Sequence, residues 1–133
     1  MDRRFFFRKE ERLSGVKSIE RLFTEKSGSI FIYPLKITWC YHQDDVVPPL
    51  RVLLVVPKKR FRQANQRNRI KRILREVYRK NSYPIQEYLT SKGKKMDISF
   101  AYIGEKALDF QEVERNFLSI VERFIGQDAS QSS

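Results

Sequence analysis

Hydrophobic positions along this chain recur with two periods, one helical and one of strand type. Val16, Ile19, Leu22 and Phe23 are spaced as one face of a helix, which is expected to be capped at Ser14 or Ser18 and to run to about Lys26. From residue 29 to 42 the chain turns β-branched and aromatic (Ile30, Phe31, Ile32, Tyr33, Ile37, Thr38, Trp39, Tyr41), predicting one long strand or two short ones broken at Pro34. Asp44, Asp45, Pro48 and Pro49 read as a connecting loop. The compact apolar run from Arg51 to Val56, closed by Pro57, reads as a central strand. Helical spacing returns from about Asn65. A short helix is expected around Ile85 to Leu89 ahead of a turn at Gly93, and Ile98 to Ile103 reads as the last strand. Asp109, with Glu112 three residues on, forms a capping-box pattern. It opens a final helix whose buried stripe is Phe110, Val113, Phe117, Ile120, Val121 and Phe124.

The element order is therefore αβββαβα, an α+β two-layer sandwich with helices on a mostly antiparallel four-stranded sheet. One domain spans residues 13–125. Residues 1–12, charged and aromatic without sustained periodicity, read as an N-terminal arm, and residues 126–133, small and polar, as a disordered tail.

Composition adds a partner class. The 133 residues suffice for one core, and 27 Lys plus Arg against 16 Asp plus Glu leave a net charge of +11. Such an excess implies a polyanion, either nucleic acid or an acidic membrane surface. No apolar run approaches the roughly 20 residues of a bilayer span. Phe5-Phe6-Phe7 is followed at once by Arg8-Lys9-Glu10-Glu11, too short an apolar stretch for a signal peptide, so a cytoplasmic protein is expected. One cysteine, Cys40, and one histidine, His42, rule out an internal disulfide and a multi-cysteine zinc site. They read as a strand thiol beside a half-exposed ring. A protein-only nuclease would need clustered carboxylates for metal ions. Asp44-Asp45 is the only acidic pair outside helices, and it makes a weak site.

Residues 58–80 carry Lys58, Lys59, Arg60, Arg62, Arg67, Arg69, Lys71, Arg72, Arg75, Arg79 and Lys80 against Glu76 alone. With Arg67 set at zero and about 100° per residue, Ile70, Ile73, Leu74 and Val77 fall between about 240° and 340°, an apolar arc that can dock on a sheet. Arg67, Lys71, Arg75, Asn68, Arg79 and Arg72 fall between about 0° and 140°, an arc without an acid. Arg69 points elsewhere, and Glu76 sits at the far edge. Like charges three or four residues apart repel by a few tenths of a kcal/mol each, so this face calls for a partner that supplies negative charge. Arginine forks suit phosphate and stack on bases, and Asn68 suits a sugar hydroxyl or base edge. A membrane-surface helix would instead expose an aromatic apolar face; this one is aliphatic and has a sheet to cover it.

These residues carry a resemblance. RNRIKRILREVYR, Arg67 to Arg79, resembles the signature R-N-x-x-K-R-x-x-R-E of the bacterial ribonuclease P protein family. Leu54-Val55-Val56-Pro57-Lys58-Lys59 resembles the strand and basic pair ahead of it, FRKEERL from Phe7 to Leu13 the family's opening, and Asp97-Ile98-Ser99-Phe100-Ala101 its last strand. The likeness covers about residues 5 to 125. It implies a small protein partner of a catalytic RNA that removes the 5′ leader of precursor tRNA. The RNA would carry the active site and its Mg2+, and the protein no catalytic residue, no metal and no cofactor. It also implies a left-handed strand–helix–strand crossover, against the usual hand.

The resemblance assigns RNA-subunit binding to Lys58, Lys59, Arg67, Asn68, Arg69, Lys71, Arg72, Arg75 and, at the end of the run, Arg79. The precursor's leader would lie in a cleft between the sheet and the first helix, where the family has aromatics in a pattern like F-x-x-V-F. Here Phe23 matches and Ile19 replaces an aromatic, with Thr38, Trp39 and Tyr41 as possible compensation from the sheet. Between Lys59 and Arg67, where many members have a glycine-bearing turn, this chain has a longer, more basic Arg60-Phe61-Arg62-Gln63-Ala64-Asn65-Gln66, which is expected to alter the helix entrance and add phosphate contacts. The expected partners are the catalytic RNA and precursor tRNA, with no membrane and no obligate protein partner. A structural RNA-binding protein, such as a ribosomal protein of related fold, is the alternative.

Overall fold

A computed structural model describes residues 11–43 and 48–132. The expected arm, apart from Glu11 and Arg12, and the Asp44-Asp45 pair lie outside the described residues. The elements in chain order are α1 (Val16–Thr24), β1 (Gly28–Ile32), β2 (Leu35–His42), β3 (Leu50–Val55), α2 (Ala64–Asn81), α3 (Tyr83–Lys92), β4 (Lys95–Tyr102) and α4 (Phe110–Ser132). Pro34 divides the first β segment into β1 and β2, as its missing N–H requires. Neither Ser14 nor Ser18 caps α1; the N-cap is Gly15, with φ +94°, a conformation open to glycine and strained for side chains. Asp109 does cap α4, its Oδ1 accepting from Glu112 N–H at 2.9 Å.

The sheet order is β1-β2-β4-β3. β1–β2 and β2–β4 are antiparallel, and β3–β4 is parallel across the α2–α3 connection. The 51–56 run is thus an edge strand, not a central one. Its sequence misleads because α2 covers its inner face while Leu53, on the outer face, borders the apolar patch under α1, so apolar residues stand on each side. The central place beside β2 goes to β4.

Cross-strand partners share a face of the sheet, so the register sorts the side chains. Ile30, Ile37, Trp39, Ile98, Phe100 and Val52 point to the inner face and form one core with Ile70, Leu74, Val77 and Tyr78 of α2, Ile85 and Leu89 of α3, and Phe117 and Phe124 of α4. The outer face is built in rows: Phe31–Lys36–Ala101–Val55, then Ser29–Thr38–Ser99–Leu53, then Cys40–Asp97–Arg51, then His42–Lys95.

α1 crosses that outer face. The chain enters beside β3, where Leu13 N–H donates to Val52 C=O at 2.8 Å, and leaves where Ser27 N–H donates to Trp39 C=O at 2.7 Å. Leu22 packs with Leu13 and Cys40 underneath, and Ile19 and Leu53 border them. The buried Asp97 carboxylate ties the helix down. It accepts from Arg21 Nη2 of α1 at 3.0 Å and from Arg51 Nε and Nη2 of β3 at 2.8 and 2.9 Å. His42, expected half-exposed, is buried, with Nε2 3.5 Å from the same carboxylate.

The final helix corrects the expected tail. It continues past Gly126 to Ser132, because Asp128 is buried and accepts hydrogen bonds from Tyr41 Oη of β2, Tyr88 Oη of α3 and Lys94 Nζ, the last at 2.9 Å.

Candidate nucleic-acid interface

α2 presents the basic arc, with one reassignment. Tyr78 falls at about 20° on the same helical count, next to Arg67, and it is 0% exposed. The buried side of the helix therefore reaches Arg67, which is half-buried. Its Nη1 donates to the carbonyls of Phe61 (2.7 Å) and Arg62 (2.9 Å), holding the entrance loop against the helix. Arg79 is also engaged: Nη2 lies 2.8 Å from Glu76 Oε2 on the same helix, and this guanidinium holds the Glu76 carboxyl below its usual range. The fully presented groups are Asn68, Arg69, Lys71, Arg72 and Arg75. Arg69 lies about 60° from Arg72 and continues the outward surface.

The entrance loop is organised around Phe61, which is buried beside the Tyr102 ring at 5.9 Å between centroids. A turn closed by Arg60 N–H to Pro57 C=O at 3.2 Å precedes it, leaving Lys58, Lys59, Arg60 and Arg62 exposed. The first turn of α2 carries no acid and Gln63 gives no side-chain cap, so its amide dipoles add to the positive potential. A cavity of about 210 Å³ lies where Lys71 and Arg75 meet Arg12, Leu13 and residues 52–54 of β3.

The second surface is the part of the outer sheet face that α1 leaves open. Trp39 and Tyr41 do not belong to it. Trp39 is 4% exposed and packs edge-on to Phe124 on the inner face, at 4.8 Å between centroids, where a Cβ at Gly28 would come within 2.5 Å of its ring. Tyr41 shares that face, and burial and its bond to Asp128 push its phenol pKa up. Thr38 has the opposite parity and does lie on the outer face, though it is mostly covered. Ile19 is half-buried in the α1 contact, while Phe23 is 46% exposed.

Sequence reasoning passed over two aromatics here. Phe31, in the outermost row beside Lys36, is 52% exposed, and Tyr33 at the hairpin tip is 57% exposed, the two rings meeting edge-on at 6.5 Å. The signal was available: Ile30 and Ile32 alternate with Phe31, so an inward Ile30 sends Phe31 outward. The outermost row, Phe31–Lys36–Ala101–Val55, is the open one; in the next, Ser29–Thr38–Ser99–Leu53, Thr38 and Ser99 are buried, and neither row holds an acid.

Among the described residues no group of carboxylates, histidines and cysteines could hold a metal ion, and no helix is long and apolar enough to cross a membrane.

Comparisons with known proteins find relatives along most of the chain. A model of the ribonuclease P family matches residues 7–125. The "Ribonuclease P protein component" of two Porphyromonas gingivalis strains is 33% and 32% identical over 122 residues, covering 92% of this chain and 88% of each relative. In fold, the chain is similar to the RNase P protein of Staphylococcus aureus, with a TM-score of 0.62 at 17% identity over 84% of this chain and 93% of that one. It is likewise similar to that of Thermotoga maritima, with a TM-score of 0.61 at 24% identity over 85% and 96%.

Proposed function

The chain belongs to the ribonuclease P protein family, and from that premise we propose that it works in the cytoplasm as the protein subunit of a ribonucleoprotein that removes the 5′ leader of precursor tRNA. The observation that carries this reading is the signature helix, on which Asn68, Arg69, Lys71, Arg72 and Arg75 stand exposed. On this reading they bind the catalytic RNA, with Lys58 and Lys59 and the added cations Arg60 and Arg62 extending the contact around the helix entrance. Arg67 acts by holding that entrance. The leader lies on the open outermost row beside α1, where Phe23 and Phe31 offer ring faces and Lys36 a charge. Base stacking of this kind is worth about 1–3 kcal/mol per base. The RNA holds the Mg2+ and performs the hydrolysis, and the protein contributes binding and position.

The test is reconstitution. Precursor tRNA mixed with the catalytic RNA at low Mg2+ should be cleaved at its mature 5′ end when this protein is added, and much more slowly without it. Equal rates in the two mixtures would remove the subunit reading. Phe31→Ala should weaken precursor tRNA more than mature tRNA in the assembled enzyme; equal losses would take Phe31 out of leader binding.

A further inference from the structure

Past Val52, the outer edge of β3 beside the basic helix has no backbone partner among the described residues. Two hydrogen bonds fix the direction of its peptide groups. Pro49 C=O accepts from Met96 N–H of β4 at 2.6 Å, so odd-numbered residues face β4. Val52 C=O accepts from Leu13 N–H at 2.8 Å, so even-numbered residues face away. The register is unbroken from Leu50 to Val55, and the alternation therefore reaches Leu54. After Leu13 the chain turns into α1, and among the described residues neither the N–H nor the C=O of Leu54 has a partner. This residue lines the cavity of about 210 Å³ together with Arg12, Lys71 and Arg75, and no acid lines it.

The geometry points to a site that reads RNA with main chain: a nucleotide of the bound RNA lies at the β3 edge, its phosphate between Lys71, Arg75 and the Leu54 N–H, its ribose 2′-hydroxyl donating to the Leu54 C=O. This rests on the proposal that α2 binds RNA, and it names what that helix binds against. An exposed edge is also a template for an added peptide strand. Past Val52, however, Leu54 is the only outward-facing residue before β3 ends at Val55, too short a ladder for a strand but enough for one nucleotide. Three cations in the lining favour a phosphodiester over a neutral peptide. A donor and an acceptor on the same residue suit a group that carries an anion and a hydroxyl together, which RNA has and DNA lacks.

Leu54→Pro removes the N–H and leaves the β4 ladder intact, because even-numbered residues take no part in it; proline is tolerated on an edge strand in that orientation. Leu54→Val keeps the N–H and serves as the comparison for altered packing. With RNase P RNA as the probe, Leu54→Pro should bind roughly tenfold more weakly than Leu54→Val, the loss of one charge-assisted hydrogen bond. Hydrogen–deuterium exchange on the unmodified protein gives a second measurement, independent of how the proline variant folds. The Leu54 amide should exchange quickly in the free protein and at least tenfold more slowly in the complex. Equal affinities of the two variants, or an exchange rate unmoved by RNA, would overturn the site while leaving the subunit reading intact. A wild-type dimer that Leu54→Pro dissolves without loss of RNA affinity would also overturn it, in favour of a second copy of this chain. Failure of the wild-type protein to bind that RNA at all removes the functional reading and the site with it.

Discussion

A guanidinium whose donors already meet backbone carbonyls has fewer left for phosphate. Arg67 is in that position, bonded to Phe61 and Arg62 C=O, whereas Arg72 stands exposed on the same helix. Arg67→Ala should therefore cost about 1–2 kcal/mol in urea unfolding and leave the salt dependence of RNA binding nearly unchanged. Arg72→Ala should leave stability within about 0.5 kcal/mol and lower the log–log salt slope by roughly 0.7–0.9, the share of one phosphate. The opposite pattern would return Arg67 to the interface. Helical spacing alone places Arg67 in the basic arc because Ile70, Ile73, Leu74 and Val77 account for an apolar face without Tyr78. Once Tyr78 counts as buried, Arg67 falls on the boundary and Arg69 on the outward surface. A tyrosine is ambiguous in a sequence, since its ring suits the core and its hydroxyl suits water.

At the scale of elements, α1 is held to the sheet by a small apolar patch and by Asp97. That carboxylate receives Arg21 and Arg51 in a site with no exposed surface of its own. Removing it leaves two guanidiniums without their partner, and Asp97→Ala should destabilise by about 3–5 kcal/mol. In the Arg21→Ala background the same change should cost clearly less, since the two residues share one interaction. Additive losses in a urea double-mutant cycle would show that Asp97 does not link α1 to the sheet. This link is not legible in the sequence, because Arg21, Arg51 and Asp97 come together only through strand order. The strands themselves are legible from β-branched runs and Pro34, and the final helix from its stripe and its Asp109 cap. Strand alternation also separates Thr38 from Trp39 and Tyr41, but it does not say which parity faces α1. That is settled by Leu22 lying on Cys40.

At the scale of the whole molecule, Asp128 joins the last turns of α4 to β2 and α3. Burial alone would raise its pKa; hydrogen bonds from Tyr41, Tyr88 and Lys94 outweigh that and hold it below the ordinary value of 3.8. A carboxyl depressed in the folded state contributes stability above its unfolded pKa and loses it as pH falls through the folded one. Asp128→Asn should thus be less stable than wild type by about 1–3 kcal/mol at pH 7, with the gap closing below about pH 4. A gap independent of pH would mean that shape rather than charge holds the helix end. The small polar composition after Gly126 hides this anchor, because its three partners lie on β2, on α3 and in the turn before β4.

The strand order sets a timetable for synthesis. β4 separates β2 from β3, yet it is the last strand to be made. A nascent chain that has emerged only as far as α3 owns the β1–β2 hairpin and the β3 segment, each lacking the neighbour that would fasten it to the other. The basic helix is already complete by then, and its apolar side has no finished sheet to lie on. Folding of the domain thus waits on residues 95–102, and a ribosome that stalls before them releases two loose edges beside a strongly cationic helix.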